Sequence, residues 1–183
     1  GVKLQLGAMK GNLILSEEHG LIFNNALSKL DESISEMRRV AHNMMPEALM
    51  KLGLQQALQD FCDGLSESQK FRINCEFYGL EKRMESSVEI VVYRIIQELL
   101  TNAVKHAGAT TILAQVIRQD NNLSITVEDN GKGFEPSNTE IIKGAGLKNV
   151  KSRVDYLKGQ MDIQSTAGKG TSIHIDCQIE ENG

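Results

Sequence analysis

The stretch from Val88 to His106 constrains the fold more than any other part of the chain. Val88, Val91, Val92, Ile95, Ile96, Leu99, Leu100 and Ala103 recur at three- and four-residue steps, which makes one stripe of a helix apolar along its length. Each large aliphatic contributes roughly 1.5–3 kcal/mol when buried, so this helix must be central. Its last turns set Glu98, Asn102, Lys105 and His106 beside the stripe, and Glu98 and Asn102, four apart, share a face. An acid, an amide and a cation converging there point to a site. The same residues also fit a solvated flank whose cations complement the helix dipole. Both readings stand on this stretch alone.

A length of 183 residues suits one large domain, or one medium domain with an appended element. Aromatic residues make up 4% and Trp is absent, so the core must rest on aliphatics and Met. The net charge of −4 argues against nucleic acid as a partner, because phosphate binding needs a cationic face. No apolar run reaches the roughly 20 residues of a membrane span, and no signal peptide is recognisable. Cys62, Cys75 and Cys177 are odd in number and widely spaced, without a CxxC pair. They read as reduced core thiols of a cytosolic protein, not as a disulfide framework or a zinc site. The opening GVKLQLGAMKG has no initiator Met and begins inside an apolar pattern, as a fragment of a longer protein would.

Along the chain, Val2, Leu4, Leu6 and Met9 form a short amphipathic piece before the polar connection Gly11–Gly20. Phe23, Leu27, Leu30, Ile34, Met37, Ala41 and Met44 then step by alternating fours and threes, the seam of a coiled coil or bundle, until Pro46 ends it. A helical hairpin with so narrow a stripe buries little alone, which predicts a homodimer through a four-helix bundle. Leu54, Ala57, Leu58, Phe61, Cys62 and Leu65 mark another amphipathic helix, and Phe71–Tyr78 alternates as a half-buried strand. After the central helix, Thr110–Arg118 and Leu123–Asp129 predict a hairpin. Leu147, Val150, Val154 and Leu157 predict a helix with Gly159 as its C-cap. Met161–Ser165 and Thr171–Ile179 predict a last hairpin around Ala167–Gly170. The expected architecture is an α/β two-layer sandwich, a mixed sheet with helices on one face, preceded by the dimerising hairpin. The expected divisions are 1–50 for the partial dimerisation hairpin, 51–68 for a linker and first helix, and 69–183 for the α/β domain.

Strand parity singles out Asp129. Leu123, Ile125 and Val127 face one way, and Asp129 falls on their side. A carboxylate aimed at a core is costly unless something satisfies it. Asn130-Gly131-Lys132-Gly133 follow at once, where bare backbone admits a ligand closely. Such an acid suits an amine-bearing ring such as adenine; an Asp capping its own turn is the open alternative. Thr171 shares its parity with Ile173, Ile175, Cys177 and Ile179, so its hydroxyl falls at the same rim. Gly144-Ala145-Gly146-Leu147 opens a helix whose N-terminal N–H groups can hold phosphate. It follows no strand of a βαβ unit, so it is no dinucleotide fingerprint, and no Walker A loop is present.

The order of these motifs resembles one family. Glu98-Leu-Leu-Thr-Asn102-Ala-Val-Lys105-His106 resembles the N box of the histidine-kinase ATP-binding fold, which gyrase, Hsp90 and MutL ATPases share. Asp129-Asn-Gly-Lys-Gly133, Gly144-Ala-Gly-Leu147 and Gly168-Lys-Gly-Thr171 resemble its three glycine boxes, in family order. Arg38–Pro46 and Gly53–Leu58 look like the second dimerisation helix and linker of sensor histidine kinases of the nitrate-sensor and DesK-like subfamily. The resemblance covers nearly the whole chain.

The resemblance implies a set of roles. Asn102 would ligate Mg²⁺ bridging the phosphates of ATP, with Glu98 orienting a metal-bound water or assisting proton transfer. Lys105 and His106 would meet phosphate oxygens. Asp129 would accept from the adenine amine, supported by Thr171. Gly131, Gly133, Gly144, Gly146 and Leu147 would shape the pocket, and residues 134–143 would be its lid. In the family the phospho-acceptor His lies on the first dimerisation helix, followed by an acid; none of His19, His42, His106 and His174 fits that pattern. The implied function is the ATP-binding catalytic core of a two-component sensor kinase that passes the γ-phosphoryl to a His and then to a response-regulator Asp. The alternative is a freestanding ATPase of the gyrase, Hsp90 or MutL kind. The implied partners are a receiver domain and a second copy of the chain, and the implied location is the cytoplasmic portion of a membrane-bound sensor.

Overall fold

The structure is a computed structural model that describes residues 19, 20, 23–27, 47–66, 71–135 and 145–179. Of the predicted heptad, Phe23 and Leu27 fall on the helical residues 23–27. Leu30 to Met44, Pro46, Gly144 and residues 136–143 lie outside the described residues. The chain divides into two units, Gly1–Pro46 and Glu47–Gly183, and the architecture below is that of the second.

Its elements run α1 (Glu47–Leu52), α2 (Leu54–Ser66), β1 (Arg72–Tyr78), α3 (Ser86–Asn102), a π-helical turn (Ala103–Ala107), β2 (Thr111–Gln119), β3 (Asn122–Asp129), α4 (Ala145–Tyr156), β4 (Gln160–Thr166) and β5 (Gly170–Gln178). The five strands form one sheet in the order β1-β2-β3-β5-β4. β1 and β2 pair in parallel, joined across the sheet by α3, and the remaining pairs are antiparallel. The sheet is therefore mixed, as the sequence predicts.

Alternation decides which face is covered. Ile112, Ala114 and Val116 of β2, Leu123, Ile125 and Val127 of β3, and Ile173, Ile175 and Cys177 of β5 are buried on one side. The opposite side carries polar pairs such as Gln115–Glu76, Ser172–Glu128 and Thr126–His174. Onto the buried side pack α2, through Leu54, Ala57, Leu58, Phe61 and Cys62, and α3, through Val92, Ile95, Ile96, Leu99 and Leu100. From α4 come Val150 and Val154. These are the stripes that helical periodicity assigned to the core.

Two local features differ from the sequence expectation. The central helix does not run regularly to His106. It widens into the π turn after Asn102 and ends at Gly108 in the left-handed region, φ 62°. The left-handed residue closing α4 is Lys158, φ 52°, not Gly159. Lys158 N–H donates to Asp155 O and Gly159 N–H to Val154 O, a Schellman closure with glycine one position late. The glycine is needed there because a Cβ would fall 2.8 Å from Asp176 O, where the chain turns onto the sheet edge.

Candidate functional site

At the end of the sheet where β3 and β5 meet the last turns of α3, a cavity of about 450 Å³ opens between sheet and helices. Its apolar wall is Leu99, Ala103, Ala107, Val127, Leu147 and Ile173. Its polar groups come from Asn102 and His106 on the helix side, Asp129 and Thr171 on the strand side, and Lys132 on the loop between. An apolar cleft with a few convergent polar groups is the usual form of a small-molecule site.

Asp129 is the last residue of β3, register-paired with Thr171 of β5. One of its oxygens accepts the Gly131 N–H at 2.8 Å, and the backbone of Thr171 lies close enough to favour the charged carboxylate. The turn-capping and ligand-facing readings of Asp129 are thus compatible, since one carboxylate caps its turn while lining the cavity. Burial pushes its pKa above the ordinary 3.8, outweighing the two backbone donors that pull it down. Asn130 serves the scaffold: its Oδ1 accepts from Thr110 N–H and Thr111 N–H at 2.9 and 3.0 Å.

The loop after Asp129 is tied on both sides. Lys132 N–H donates to Ala107 O of the π turn, and Lys132 O accepts from Gly168 N–H of the β4–β5 turn. Phe134 N–H donates to Ser165 Oγ at 2.8 Å. Gly131 owes its identity to this arrangement: a Cβ there would overlap Ala107 O and sit 2.6 Å from Ala107 Cβ. Gly131 is therefore a close-approach residue between loop and π turn, one step behind the cavity wall, whereas Gly133 lines it.

On the helix side, Asn102 closes α3 and faces the cavity. Glu98, one turn earlier, stands behind it. A Cβ added to Gly146 would meet Glu98 Oε1 at 2.5 Å and Asn102 Nδ2 at 3.0 Å, so both side chains reach the backbone that opens α4. Of the two basic residues, His106 lines the cavity and Lys105 does not. The π turn accounts for the split, because an inserted residue rotates the next side chains away from their places on a regular helix. Gly146, Leu147 and Thr171 line the cavity as anticipated, and Gly144 lies outside the described residues.

Sequence reasoning passed over Lys132 and Ser165 and gave Phe134 only as the first residue of the lid. Lys132 and Phe134 sit in or beside the Asp-Asn-Gly-Lys-Gly run and are cavity-lining. Ser165 is 8% exposed and shares the parity of Met161 and Ile163, so strand alternation could have exposed it as a polar residue turned inward. Among the described residues no group of three or more His, Cys, Asp or Glu gathers as a metal site. Asn102 and Glu98 offer two oxygen donors near the cavity, which fits Mg²⁺ held mainly by water and ligand phosphates and does not fit an all-protein cage.

Residues 87–181 match the family described as histidine kinase-, DNA gyrase B- and HSP90-like ATPase. The sensor histidine kinase ComP of Bacillus subtilis (strain 168) is 34% identical over 152 residues, 82% of this chain and 20% of that protein. The signal transduction histidine-protein kinase/phosphatase DegS of Brevibacillus brevis is 34% identical over 148 residues, 80% of this chain and 38% of that protein. The chain thus spans between a fifth and two fifths of the length of these relatives. Among solved structures, the histidine kinase domain of the blue-light activated kinase of Erythrobacter litoralis EL346 superposes with a TM-score of 0.63 at 16% identity, over 97% of this chain and 92% of that one. That likeness is one of fold.

Proposed function

The chain belongs to the histidine kinase-, DNA gyrase B- and HSP90-like ATPase family, and from that premise we propose that it is the ATP-binding catalytic part of a two-component sensor histidine kinase. The observation that carries the proposal is the cavity itself. It faces Asp129 and Thr171 on one wall with Asn102 and His106 on the other, across an apolar floor in a volume of about 450 Å³. In this reading Asp129 accepts from the adenine amine while Leu99, Val127 and Ile173 enclose the ring. Asn102 and Glu98 would hold Mg²⁺, which when bound would supply charge neutralisation at the phosphates. His106 and Lys132 stand at the phosphate end, with Lys105, solvent-exposed on the same turn, a weaker contributor to charge. The backbone that opens α4 at Gly146 completes the phosphate cradle.

The parent would pass the γ-phosphoryl to a His followed by an acidic residue, a motif this sequence lacks, and then to a receiver Asp. The names of ComP and DegS support a sensor kinase over a freestanding ATPase. Homodimerisation through residues 1–50, which light scattering reads directly, and attachment of the parent to a membrane belong to the same proposal. No described helix is itself long and apolar enough to cross a membrane.

Isothermal titration with ATP–Mg²⁺ tests the reading. Asp129→Asn swaps an acceptor for a donor toward the amine and should weaken binding by roughly 1–3 kcal/mol, or about 5–150-fold. An unchanged dissociation constant would take Asp129 out of the pocket; no heat from the wild type would remove the nucleotide reading altogether.

A further inference from the structure

Ser165 is a single buried hydroxyl with three partners, and one assignment of protons lets it make all three bonds at once. Its Oγ lies 3.2 Å from Gly170 O, 2.8 Å from Phe134 N and 3.0 Å from Thr171 Oγ1. A serine hydroxyl has one proton and two lone pairs. Gly170 O has no proton to give, so Ser165 donates there. Phe134 N–H can only donate, so Ser165 accepts from it. The assignment that satisfies all three contacts at once gives the remaining lone pair to the Thr171 proton. Thr171, which lines the cavity, thus keeps only lone pairs free on its Oγ1.

We propose that Ser165 is a positioning residue that makes the strand-side wall of the cavity acceptor-only, by consuming the Thr171 proton, and so selects purine nucleotides with an exocyclic amine over those with a carbonyl at the same ring position. The inference rests on the nucleotide reading of the cavity. Beside the Asp129 carboxylate, the exocyclic amine of a 6-amino purine carries two N–H donors for this wall, whereas the 6-oxygen of a 6-oxo purine at the same place meets only acceptors. Rejection by leaving buried polar groups unpaired discriminates more strongly than the loss or gain of apolar contact. Ser165 does not touch the ring in this arrangement; it acts through the rotor of Thr171. The three bonds also tie β4, the β5 entrance and the Phe134 loop to one atom, so the wall that reads the base is held by the loop that leaves it.

The test is the ratio of ITP to ATP dissociation constants, measured by titration with Mg²⁺ present. Ser165→Ala frees the Thr171 hydroxyl to donate to a carbonyl, and the ratio should fall about tenfold, the scale of one reversed hydrogen bond. Ser165→Thr, which keeps the oxygen, should retain the wild-type ratio. In a Thr171→Val background Ser165→Ala should change the ratio no further. Equal weakening of both nucleotides by Ser165→Ala would make Ser165 merely structural and overturn the proposal. If Ser165→Ala does not fold, Thr171→Val alone carries the test, since it removes the selecting oxygen and must lower the ratio; an unchanged ratio overturns the proposal. Wild-type protein that binds neither nucleotide would instead overturn the nucleotide reading on which this rests.

Discussion

Asp129 pays for its position in ionisation. Burial lifts its folded pKa above the ordinary 3.8 that an exposed Asp would show in the unfolded chain. Between those two values the native state binds more protons than the unfolded state, so stability falls as pH rises through that window, and the deficit persists at neutral pH. Asp129→Asn has no such proton to exchange. The wild type should therefore gain in denaturation midpoint relative to the variant as pH is lowered through the window. Parallel midpoint–pH curves for the two proteins would show that burial of Asp129 costs nothing. ATP affinity should fall over the same acidic range as the acceptor becomes a donor. Asp129 was legible in the sequence because strand parity has a period of two and allows no drift. Thr171 was legible for the same reason. Lys105 was not: the 3.6-residue period that sets Glu98 and Asn102 on one face carries past Asn102 onto a turn of different pitch, and no residue in Ala103–Ala107 announces the change. Ser165 was within reach of the same parity argument, but hydrophobic alternation gives no weight to a small hydroxyl.

The elements that hold the site were legible as stripes, and their connections less so. The helix Leu54–Ser66, expected between hairpin and domain, buries five residues against the sheet and α3. A second tie there had no sequence signal, because its partners are distant in the chain. Glu89, in the first turn of α3, is 2% exposed. It accepts from Arg83 Nε at 2.9 and 3.0 Å, from Arg83 Nη2 at 2.7 Å and from Met84 N–H at 3.1 Å. The same Arg83 Nη2 reaches Leu49 O at 3.1 Å, so one guanidinium joins the C-terminus of α1 to the N-terminus of α3. The two ends of this pair are not equivalent. Removing Arg83 strands a buried carboxylate, whereas Glu89→Gln leaves an acceptor of the same shape and no buried charge. A fully buried pair that loses one partner costs about 3–5 kcal/mol. Arg83→Ala should fall below that range, since the Arg83 side chain is 46% exposed and water replaces part of it, and Glu89→Gln should cost less still. Chemical denaturation of the two variants decides: a larger loss for Glu89→Gln would mean that the clamp's charge is not what stabilises it.

At the scale of the molecule the catalytic unit can be complete while the reaction is not. Phosphoryl transfer needs the attacking nitrogen in line with the β–γ bridging bond, and the protein's contribution is positioning and charge neutralisation. The residues proposed for that purpose all lie in Glu47–Gly183. The histidines are poor acceptors in that geometry. His174 stands on the sheet face away from the cavity, bonded through Nδ1 to Thr126 and through Nε2 to Asp176. His106 is part of the cavity wall, where the proposed function gives it a binding role and not an accepting one. His19 and His42 belong to Gly1–Pro46 and lack the following acid of the family motif. ATP–Mg²⁺ labelled on its γ-phosphate should therefore bind to the 183-residue chain and leave no acid-labile label on it. Supplied in trans, a helical hairpin bearing a His followed by an acidic residue should take up label, with release of ADP. Acid-labile label on the chain alone, abolished by His42→Ala or His106→Ala, would place the acceptor within this sequence and reverse the division between a binding half and an accepting half. Label on neither protein, with ATP bound, would favour the freestanding ATPase, whose phosphoryl acceptor is water.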